Sequence, residues 1–238
     1  MSNQTRRLLI HGANGRMGRA VRRIAAEDAR FAIVGVVSRS TPEFRVVDGV
    51  PNFAASELAA VPDFDVAIDF SLPEAFDGIL GECMKRGAAL VSGTTGLDDA
   101  QRAALDAAST RIPLVWASNF SLGVALLHQL VGTAAMRLPG WDCDIVESHH
   151  VHKKDAPSGT ALTLGAAAEA GGAKPQYASL RAGDIVGEHL VQFTGQGERI
   201  ELVHRATDRD IFARGAVHAA AWLQGRPAGR YKVADTLG

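Results

Sequence analysis

The stretch LLIHGANGRMG at residues 8–18 decides the fold of this chain. A short apolar run at residues 8–11 stops at Gly12, and apolar side chains then recur at helical spacing, at Met17, Val21, Ile24 and Ala25. A second run, rich in β-branched residues, follows at 31–37. The sequence therefore predicts a strand, a tight turn, a helix and a second strand, which together form a βαβ unit.

Glycines at positions 12, 15 and 18 give the turn its chemistry. They allow a sharp turn, close approach of the backbone to a pyrophosphate, and tight packing of the helix on the strand. The amides at the start of the helix can hold the anion, so the turn indicates a dinucleotide cofactor. The alternative, a generic tight turn in an enzyme without a nucleotide, stays open at this point.

The residues after the second strand bear on which dinucleotide is bound. An acidic residue there would bind the ribose hydroxyls of NAD, but this chain has Ser38, Arg39 and Ser40. A cation between two hydroxyls suits a 2′-phosphate, so we expect NADPH to be preferred, with NADH as an alternative. Arg39 could instead be a solvated loop residue.

The alternation of strand and helix continues through the first half of the chain. Further strands are predicted at residues 65–71, 88–92 and 112–117, and helices from Pro73 and over residues 98–109. After about residue 119 the pattern changes, with helices over 122–138 and 158–170, a strand over 144–150, a hairpin of 188–194 with 198–206, and a last helix outlined by residues 212–223. We predict an α/β protein with a Rossmann-like parallel-sheet nucleotide-binding domain and a smaller α+β domain.

Composition excludes several classes of protein. The net charge of −1 and pI near 6.7 lack the basic excess of a nucleic-acid binder. Cys83 and Cys143 form neither a disulfide framework nor a zinc-ligand spacing. Without a signal-peptide pattern, or an apolar run near the roughly 20 residues of a membrane helix, we expect a cytoplasmic protein that binds no membrane.

Residues 147–161, ESHHVHKKDAPSGTA, concentrate three histidines and two lysines directly after a predicted strand. Histidine can donate a proton near neutral pH, lysine offers a positive charge, and the start of a helix at Ser158 can hold a carboxylate. The segment suits an anionic substrate that gains a proton. Zinc bound by the histidines is a weaker alternative, because the lysines repel a dication. A purely structural strand end with a solvated loop is another.

This segment and several others resemble the 4-hydroxy-tetrahydrodipicolinate reductases, also called dihydrodipicolinate reductases. The signature E-x-H-H-x-x-K-x-D-A-P-S-G-T-A of that family matches residues 147–161 without a gap. The resemblance covers nearly the whole chain, through GANGRMGR at 12–19, SGTTG at 92–96, ASNFSLGV at 117–124, RAGDIVGEH at 181–189, GERIELVHRA at 197–206 and FARGAVHAAAWL at 212–223. This chain departs from the family pattern in two places. Many members carry an acidic residue where Ser38 stands, and the stretch 39–62 is short.

The resemblance implies a role for each matching position. His149 falls at the proton donor and Lys153 at the second catalytic position, whereas His150, Gly159 and Thr160 fall at contacts to substrate carboxylates. No metal site is implied. The implied cofactor contacts are Gly12, Ala13, Asn14, Gly15, Arg16, Met17, Arg39, Gly93, Thr94, Thr95, Ala117, Ser118, Asn119 and Phe120.

The resemblance also implies an activity and an assembly. The activity is reduction of a cyclic dicarboxylate imine by a nicotinamide cofactor in lysine and diaminopimelate biosynthesis. The implied domains are residues 1–120 with 208–238 for the dinucleotide and residues 121–207 for substrate and tetramerisation, in a homotetramer. Two rivals stay open, another Rossmann dehydrogenase of amino-acid precursors and a non-catalytic nicotinamide-binding regulator.

Overall fold

The computed structural model of the protein describes residues 5–238, so residues 1–4 of the predicted first domain lie outside the described residues. The chain divides into two compact units. The first unit contains the chain up to Phe120, together with Phe212–Thr236 and Gly238. The second unit contains Ser121–Ile211 and Leu237.

The first unit is built on a sheet of eight strands in the order β12-β7-β6-β5-β1-β2-β4-β3. The strands are β1 (Arg6–His11), β2 (Phe31–Ser38), β3 (Val46–Val47), β4 (Val50–Ala54), β5 (Val66–Asp69), β6 (Ala89–Ser92), β7 (Pro113–Trp116) and β12 (Gly229–Tyr231). All neighbouring pairs are parallel except the short pair β3 and β4. The predicted parallel sheet is thereby confirmed.

Among the described residues, four α-helices belong to this unit: α1 (Arg16–Ala26), α2 (Pro73–Arg86), α3 (Asp99–Ser109) and α6 (Asp210–Trp222), the last of which starts at the boundary. Helix α2 shows why these elements form where they do. Pro73 occupies its first turn and Gly87 ends it at φ +66°. Its buried face, Phe76, Ile79, Leu80 and Cys83, packs into the core beside the sheet.

The second unit carries a four-stranded sheet in the order β11-β10-β8-β9. Its elements are α4 (Leu122–Arg137), β8 (Asp142–His149), α5 (Gly159–Ala170), β9 (Pro175–Arg181), β10 (Gly187–Gly195) and β11 (Glu198–Ala206). The predicted hairpin of β10 with β11 is present, and β10 also pairs antiparallel with β8. Helices α4 and α5 and one sheet face enclose a core that includes Val131, Leu164, Ile145 and Phe193.

The unit also contains a βαβ crossover that the sequence analysis did not predict. Strand β9 runs parallel to β8, and α5 connects them, with His149 opposite Arg181 in the register. The segment 150–158 therefore leaves the carboxyl end of a parallel strand, where ligands of open α/β sheets bind. In addition, β8 ends at His149, one residue before the predicted end at residue 150.

Candidate functional site

The turn after β1 has the geometry that the glycine pattern predicts. Gly12 has φ +79°, and a Cβ there would lie 2.4 Å from the carbonyl oxygen of Phe70. At Gly18 a Cβ would lie 2.2 Å from the Gly12 carbonyl oxygen. Gly15 is the N-cap of α1 and supplies no side-chain cap, and the first turn of the helix has no acid. The start of α1 is thus suited to an external anion.

Phe70, just after β5, brings the three predicted cofactor loops together. Its carbonyl lies against Gly12, and its ring occupies the space beside Gly93, where a Cβ would lie 2.1 Å from the ring. The ring also meets Phe120 edge-on, with centroids 5.8 Å apart. Phe70 therefore contacts all three loops. It leaves room only for glycine at positions 12 and 93, and its ring packs against the ring of Phe120.

Asp69, the last residue of β5, is fully buried and connects the end of β1, which precedes the glycine turn, with the loop of Gly93 and Thr94 by hydrogen bonds. It accepts from His11 Nδ1 at 2.8 Å, from Ser92 Oγ at 2.7 Å and from Thr94 Oγ1 at 2.8 Å. The Ser71 amide adds a fourth bond at 3.1 Å. Burial opposes ionisation, but the bonds from His11, Ser71 and Ser92 outweigh it and lower the pKa of Asp69.

A cleft of about 600 Å³ opens beside this turn, within the size range of small-molecule and cofactor sites. Of the predicted cofactor residues, Gly12, Asn14, Gly15 and Arg39 line it. Ser38 also lines it, although its hydroxyl donates to Asn52 Oδ1 at 3.4 Å. The remaining walls come mainly from apolar residues, including Ala55, Leu58, Phe70, Leu72 and Ala75.

The other predicted cofactor residues lie outside the walls of this cleft. Arg16 and Met17 begin α1, and the buried Ala13 donates its amide to the Val37 carbonyl oxygen at 3.0 Å. Thr95 is exposed after Thr94, whose carbonyl accepts from Trp116 Nε1 at 2.9 Å. The third loop contains Ala117, Ser118 and Asn119. At its start, the backbone amide of Ala117 donates a hydrogen bond to the Ser92 carbonyl oxygen at 3.1 Å.

In the second unit, His149 is buried at the end of β8 and donates from Nδ1 to Glu147 Oε2. Because an ionised carboxylate only accepts hydrogen bonds, Nδ1 carries the proton and Nε2 is left for other partners. Burial lowers the pKa of His149, the Glu147 carboxylate raises it, and the nearby Lys153 and Arg181 charges lower it further. The net direction is downward, so the imidazole is mainly neutral at pH 7.

Glu147 is a fully buried carboxylate that the sequence analysis did not single out. Arg181 donates to both of its oxygens, at 2.8 and 3.0 Å, and the Ser158 amide donates at 3.2 Å. Burial raises its pKa, but bonds from Arg181, Ser179 and His149 outweigh that effect and hold the pKa at about 2. The sequence signals were the first position of the family signature and an acid two residues before His149, directly after Ile145 and Val146.

The second predicted catalytic residue, Lys153, and the predicted substrate contacts lie in the segment that follows β8. Lys153 Nζ pairs with Asp155 Oδ1 at 2.9 Å. His150 is half-buried, its Nδ1 has no hydrogen-bond partner among the described residues, and its ring lies 6.2 Å from that of His152. Gly159 and Thr160 open helix α5 behind the N-cap Ser158, whose hydroxyl accepts from the Ala161 amide.

His189 of β10 is a second buried histidine that sequence reasoning missed. Its ring meets that of His149 edge-on at 5.3 Å, and its Nε2 lies 3.3 Å from Ser158 Oγ. Burial has the largest effect on the pKa of His189, and the charges of His149 and His204 add to it. Together they lower this pKa to about 4. It lies directly opposite Glu147 in the pairing of β10 with β8, which only the strand register reveals.

The described residues, 5–238, contain no group of three or more histidine, cysteine, aspartate or glutamate side chains arranged to hold a metal ion. Within that same part of the chain, no helix has the length and apolar character needed to cross a membrane.

The glycine turn on a parallel sheet, and the buried histidine of a separate α+β unit, define the class of nicotinamide-dependent reductases. Family models of dihydrodipicolinate reductase match almost all of the chain, the N-terminal model at residues 6–120 and the C-terminal model at residues 123–237. The chain belongs to the dihydrodipicolinate reductase family. It is therefore an oxidoreductase that uses a nicotinamide cofactor.

Individual relatives support the same family. The 4-hydroxy-tetrahydrodipicolinate reductase of Stenotrophomonas maltophilia (strain K279a) is 71% identical over 237 residues, which is 99% of each chain. That of Xanthomonas axonopodis pv. citri (strain 306) is 68% identical over the full length of both chains. Among solved structures, a dipicolinate-bound dihydrodipicolinate reductase from Paenisporosarcina sp. TG-14 has TM-score 0.80 at 22% identity, covering 96% of this chain and 98% of the other.

Proposed function

We propose that this protein reduces 4-hydroxy-tetrahydrodipicolinate to tetrahydrodipicolinate with NAD(P)H, in lysine and diaminopimelate biosynthesis. Relatives at 71% and 68% identity carry the name of this activity. The observation that carries the proposal is the buried His149, which is held through Nδ1 by Glu147 and keeps Nε2 for a reacting ring. When bound, the nicotinamide cofactor supplies the hydride.

His149 is the proposed proton donor. Reduction of an imine-containing ring needs a proton as well as a hydride, and a positioned general acid contributes about 10²–10⁴-fold to the rate. The pKa of His149 is lowered in the free protein by burial and by nearby cations. A doubly anionic ring beside it would oppose that effect, so we expect His149 to take up its proton together with the substrate.

The substrate's two carboxylates have proposed partners in the segment after β8. Lys153, the second proposed catalytic residue, is a cation of that segment, and its ion pair with Asp155, at 2.9 Å, is one that a substrate carboxylate can replace. Gly159 and Thr160 present the start of α5, whose first turn contains no acidic residue. His150, with its unpartnered buried Nδ1, is the third proposed contact.

The first unit fits a dinucleotide by its own geometry. A side chain at Gly12 or Gly18 would collide with backbone, and the start of α1 has no side-chain cap. We assign the pyrophosphate to Gly12, Ala13, Asn14, Gly15, Arg16 and Met17, and the nicotinamide half to the loops of Gly93, Thr94 and Thr95 and of Ala117, Ser118, Asn119 and Phe120. Arg39, at the cleft beside Asn14 and Gly15, is the proposed 2′-phosphate contact that favours NADPH.

The domain roles follow from these assignments. The dinucleotide belongs to residues 1–120 and 208–238, and the substrate to residues 121–207. We further propose a cytoplasmic homotetramer that uses the smaller domain for assembly. Exposed apolar side chains on the outer strands of that domain, Tyr177, Leu180, Ile200 and Val203, support an interface there.

A coupled assay tests the proposed function. Purified protein is given NADPH and substrate made freshly by the preceding synthase, and NADPH oxidation is followed while cofactor binding is measured separately. We expect rapid oxidation that requires the synthase product and is inhibited by pyridine-2,6-dicarboxylate. Tight cofactor binding without any oxidation would instead indicate a regulator that has kept the fold, and oxidation with a different amino-acid precursor would indicate another dehydrogenase.

A further inference from the structure

The surroundings of Glu147 are more elaborate than an ordinary ion pair needs. The carboxylate is fully buried, and it receives two bonds from Arg181, one from the Ser158 amide and one from His149 Nδ1. Isolated buried charges are costly, and removing one partner of such a set is strongly destabilising. A carboxylate with this many donors cannot rotate freely, so it fixes the plane and the protonated nitrogen of the His149 ring.

Arg181 connects this carboxylate to the loop that carries Lys153. Its Nη2 donates to Glu147 Oε1 at 2.8 Å and to the Asp155 carbonyl oxygen at 2.5 Å. Asp155 in turn holds Lys153 Nζ at 2.9 Å. One guanidinium therefore supports both of the proposed catalytic positions, and its side chain is only 19% exposed.

The opposite side of the His149 ring is shaped by Gly187, the first residue of β10. A Cβ at Gly187 would lie 3.1 Å from His149 Nε2, so any side chain there would press on the nitrogen that is left for substrate. The ring is thus held through Nδ1 by Glu147 and kept clear at Nε2 by a glycine. Both features orient the same nitrogen.

Four charged or titratable side chains face His149 from the elements packed around it. They are Glu147 on its own strand, Arg181 on β9, Lys153 on the following loop and His189 on β10. Glu147 is the only one that favours the protonated imidazole, because Lys153 and Arg181 are cations and His189 is held neutral by burial. Removing the charge of Glu147 should therefore leave an environment that opposes protonation.

We propose that Glu147 and Arg181 are positioning residues of the reaction: Glu147 orients His149 so that Nε2 gives the proton, and Arg181 holds both Glu147 and the Lys153 loop. This inference rests on the proposed function, in which His149 is the acid. In the step itself, the Nε2–H bond of the imidazolium breaks and the proton bonds to the reduced ring. The imidazole becomes neutral and keeps its Nδ1 proton, and Glu147 stays a carboxylate throughout.

The first test follows the titration of His149 by NMR in the free protein, in the wild type and in Glu147→Gln. The amide keeps the size of the carboxylate, removes its charge and replaces one acceptor oxygen by an NH2 donor. We expect the pKa of His149 to fall by roughly one unit or more in Glu147→Gln. The control Glu169→Gln, which removes an exposed carboxylate from α5, should leave it unchanged. An unchanged titration in Glu147→Gln would overturn the inference, whether or not the protein turns over the substrate.

The second test is kinetic and includes a variant that removes both charges. In Glu147→Gln we expect kcat to fall about 10²-fold at neutral pH, with an unchanged KM for NADPH and a high-pH limb of kcat displaced to lower pH. The double variant Glu147→Gln/Arg181→Met leaves no unpaired charge and should stay folded but slow. If the double variant recovers the kcat and pH profile of the wild type, Glu147 serves only to neutralise Arg181 and the inference is wrong. Inactivity of the wild type itself would instead refute the proposed function.

Discussion

At the level of single residues, the sequence indicated candidate side chains for the chemistry but not the residues that hold them. His149 and Lys153 stand out because a proton donor and a cation follow a strand within five positions. Glu147 and Arg181 are 34 positions apart and meet because β8 and β9 run side by side. Asp69 and His11 are 58 positions apart and meet through the pairing of β5 with β1. Neither strand pairing can be read from the order of residues along the chain.

Lys153→Ala tests the proposed substrate contact. Loss of a charge-assisted bond worth about 1.5–3 kcal/mol should raise the KM for substrate and lower kcat/KM by roughly 10- to 100-fold, with cofactor affinity unchanged. Steady-state kinetics with varied substrate measures it. Lys154→Ala is the matched control, since Lys154 is an exposed neighbour without an assigned role. Equal kinetics in the two variants would remove Lys153 from the site.

Arg39→Ala tests the cofactor preference. Arg39 lines the cleft and is the proposed partner of the 2′-phosphate. We expect the KM for NADPH to rise by about 10-fold while that for NADH hardly changes, because only NADPH has the phosphate. Arg111→Ala, an exposed arginine of the same unit, controls for lost surface charge. An unaltered ratio of the two KM values would show that another residue sets the preference.

At the scale of elements, the strand end at Asp69 and Phe70 determines how the cofactor loops pack. The sequence showed the three loops separately, through their glycines, and showed the apolar run of β5. It did not show that the last residue of that run would be a buried acid accepting from the ends of β1 and β6. An acid at the carboxyl end of a buried strand was the available signal.

Asp69→Asn should loosen these loops without removing any proposed cofactor contact. In Asp69→Asn, an NH2 donor takes the place of one carboxylate oxygen and faces groups that donate to Asp69, namely two hydroxyls and a backbone amide. We expect this mismatch to cost about 1–3 kcal/mol of folding stability. We expect a lower denaturation midpoint and several-fold weaker NADPH binding, measured by chemical unfolding and by cofactor fluorescence. Asp106→Asn breaks an exposed pair with Arg230 instead, and should cost about 0–1 kcal/mol. Equal effects in the two variants would contradict the role of Asp69.

At the scale of the whole molecule, hydrophobic periodicity predicted the fold class and most elements. The strands that hydrophobic periodicity did not predict are those without a regular apolar pattern. Strand β9, PQYASLR, is mostly exposed and polar, and β4 contains Pro51 and Asn52. Strand β12 is only three residues long. The family resemblance supplied the residue roles, which composition and spacing alone left open.

The protein should lose stability in mild acid through His189. A pKa of about 4 in the folded state, against an ordinary value near 6.5, means that only the unfolded chain takes up this proton as pH falls. The stabilisation is complete above about pH 6.5 and is lost towards pH 4, amounting to roughly 3 kcal/mol or on the order of 10 °C in Tm.

His189→Gln checks this account, because the Gln amide reaches the position of Nε2 and can bond to Ser158 Oγ but does not titrate in this range. Thermal unfolding at pH 7 and pH 4.5 should show a smaller fall in Tm for His189→Gln than for the wild type. His128→Gln, on helix α4, removes a histidine outside the signature segment and is the control. A fall as large as that of the wild type would exclude His189 as the group responsible.

His149 is the proposed proton donor, and the turnover rate of His149→Gln is the measurement that tests this role. The variant is assayed with NADPH and freshly made substrate, beside His152→Gln, which changes an exposed histidine of the same segment. We predict that kcat falls by about 10²–10⁴-fold in His149→Gln and stays near the wild type in His152→Gln, with NADPH binding unchanged in both. Turnover by His149→Gln at the rate of the wild type would contradict the account.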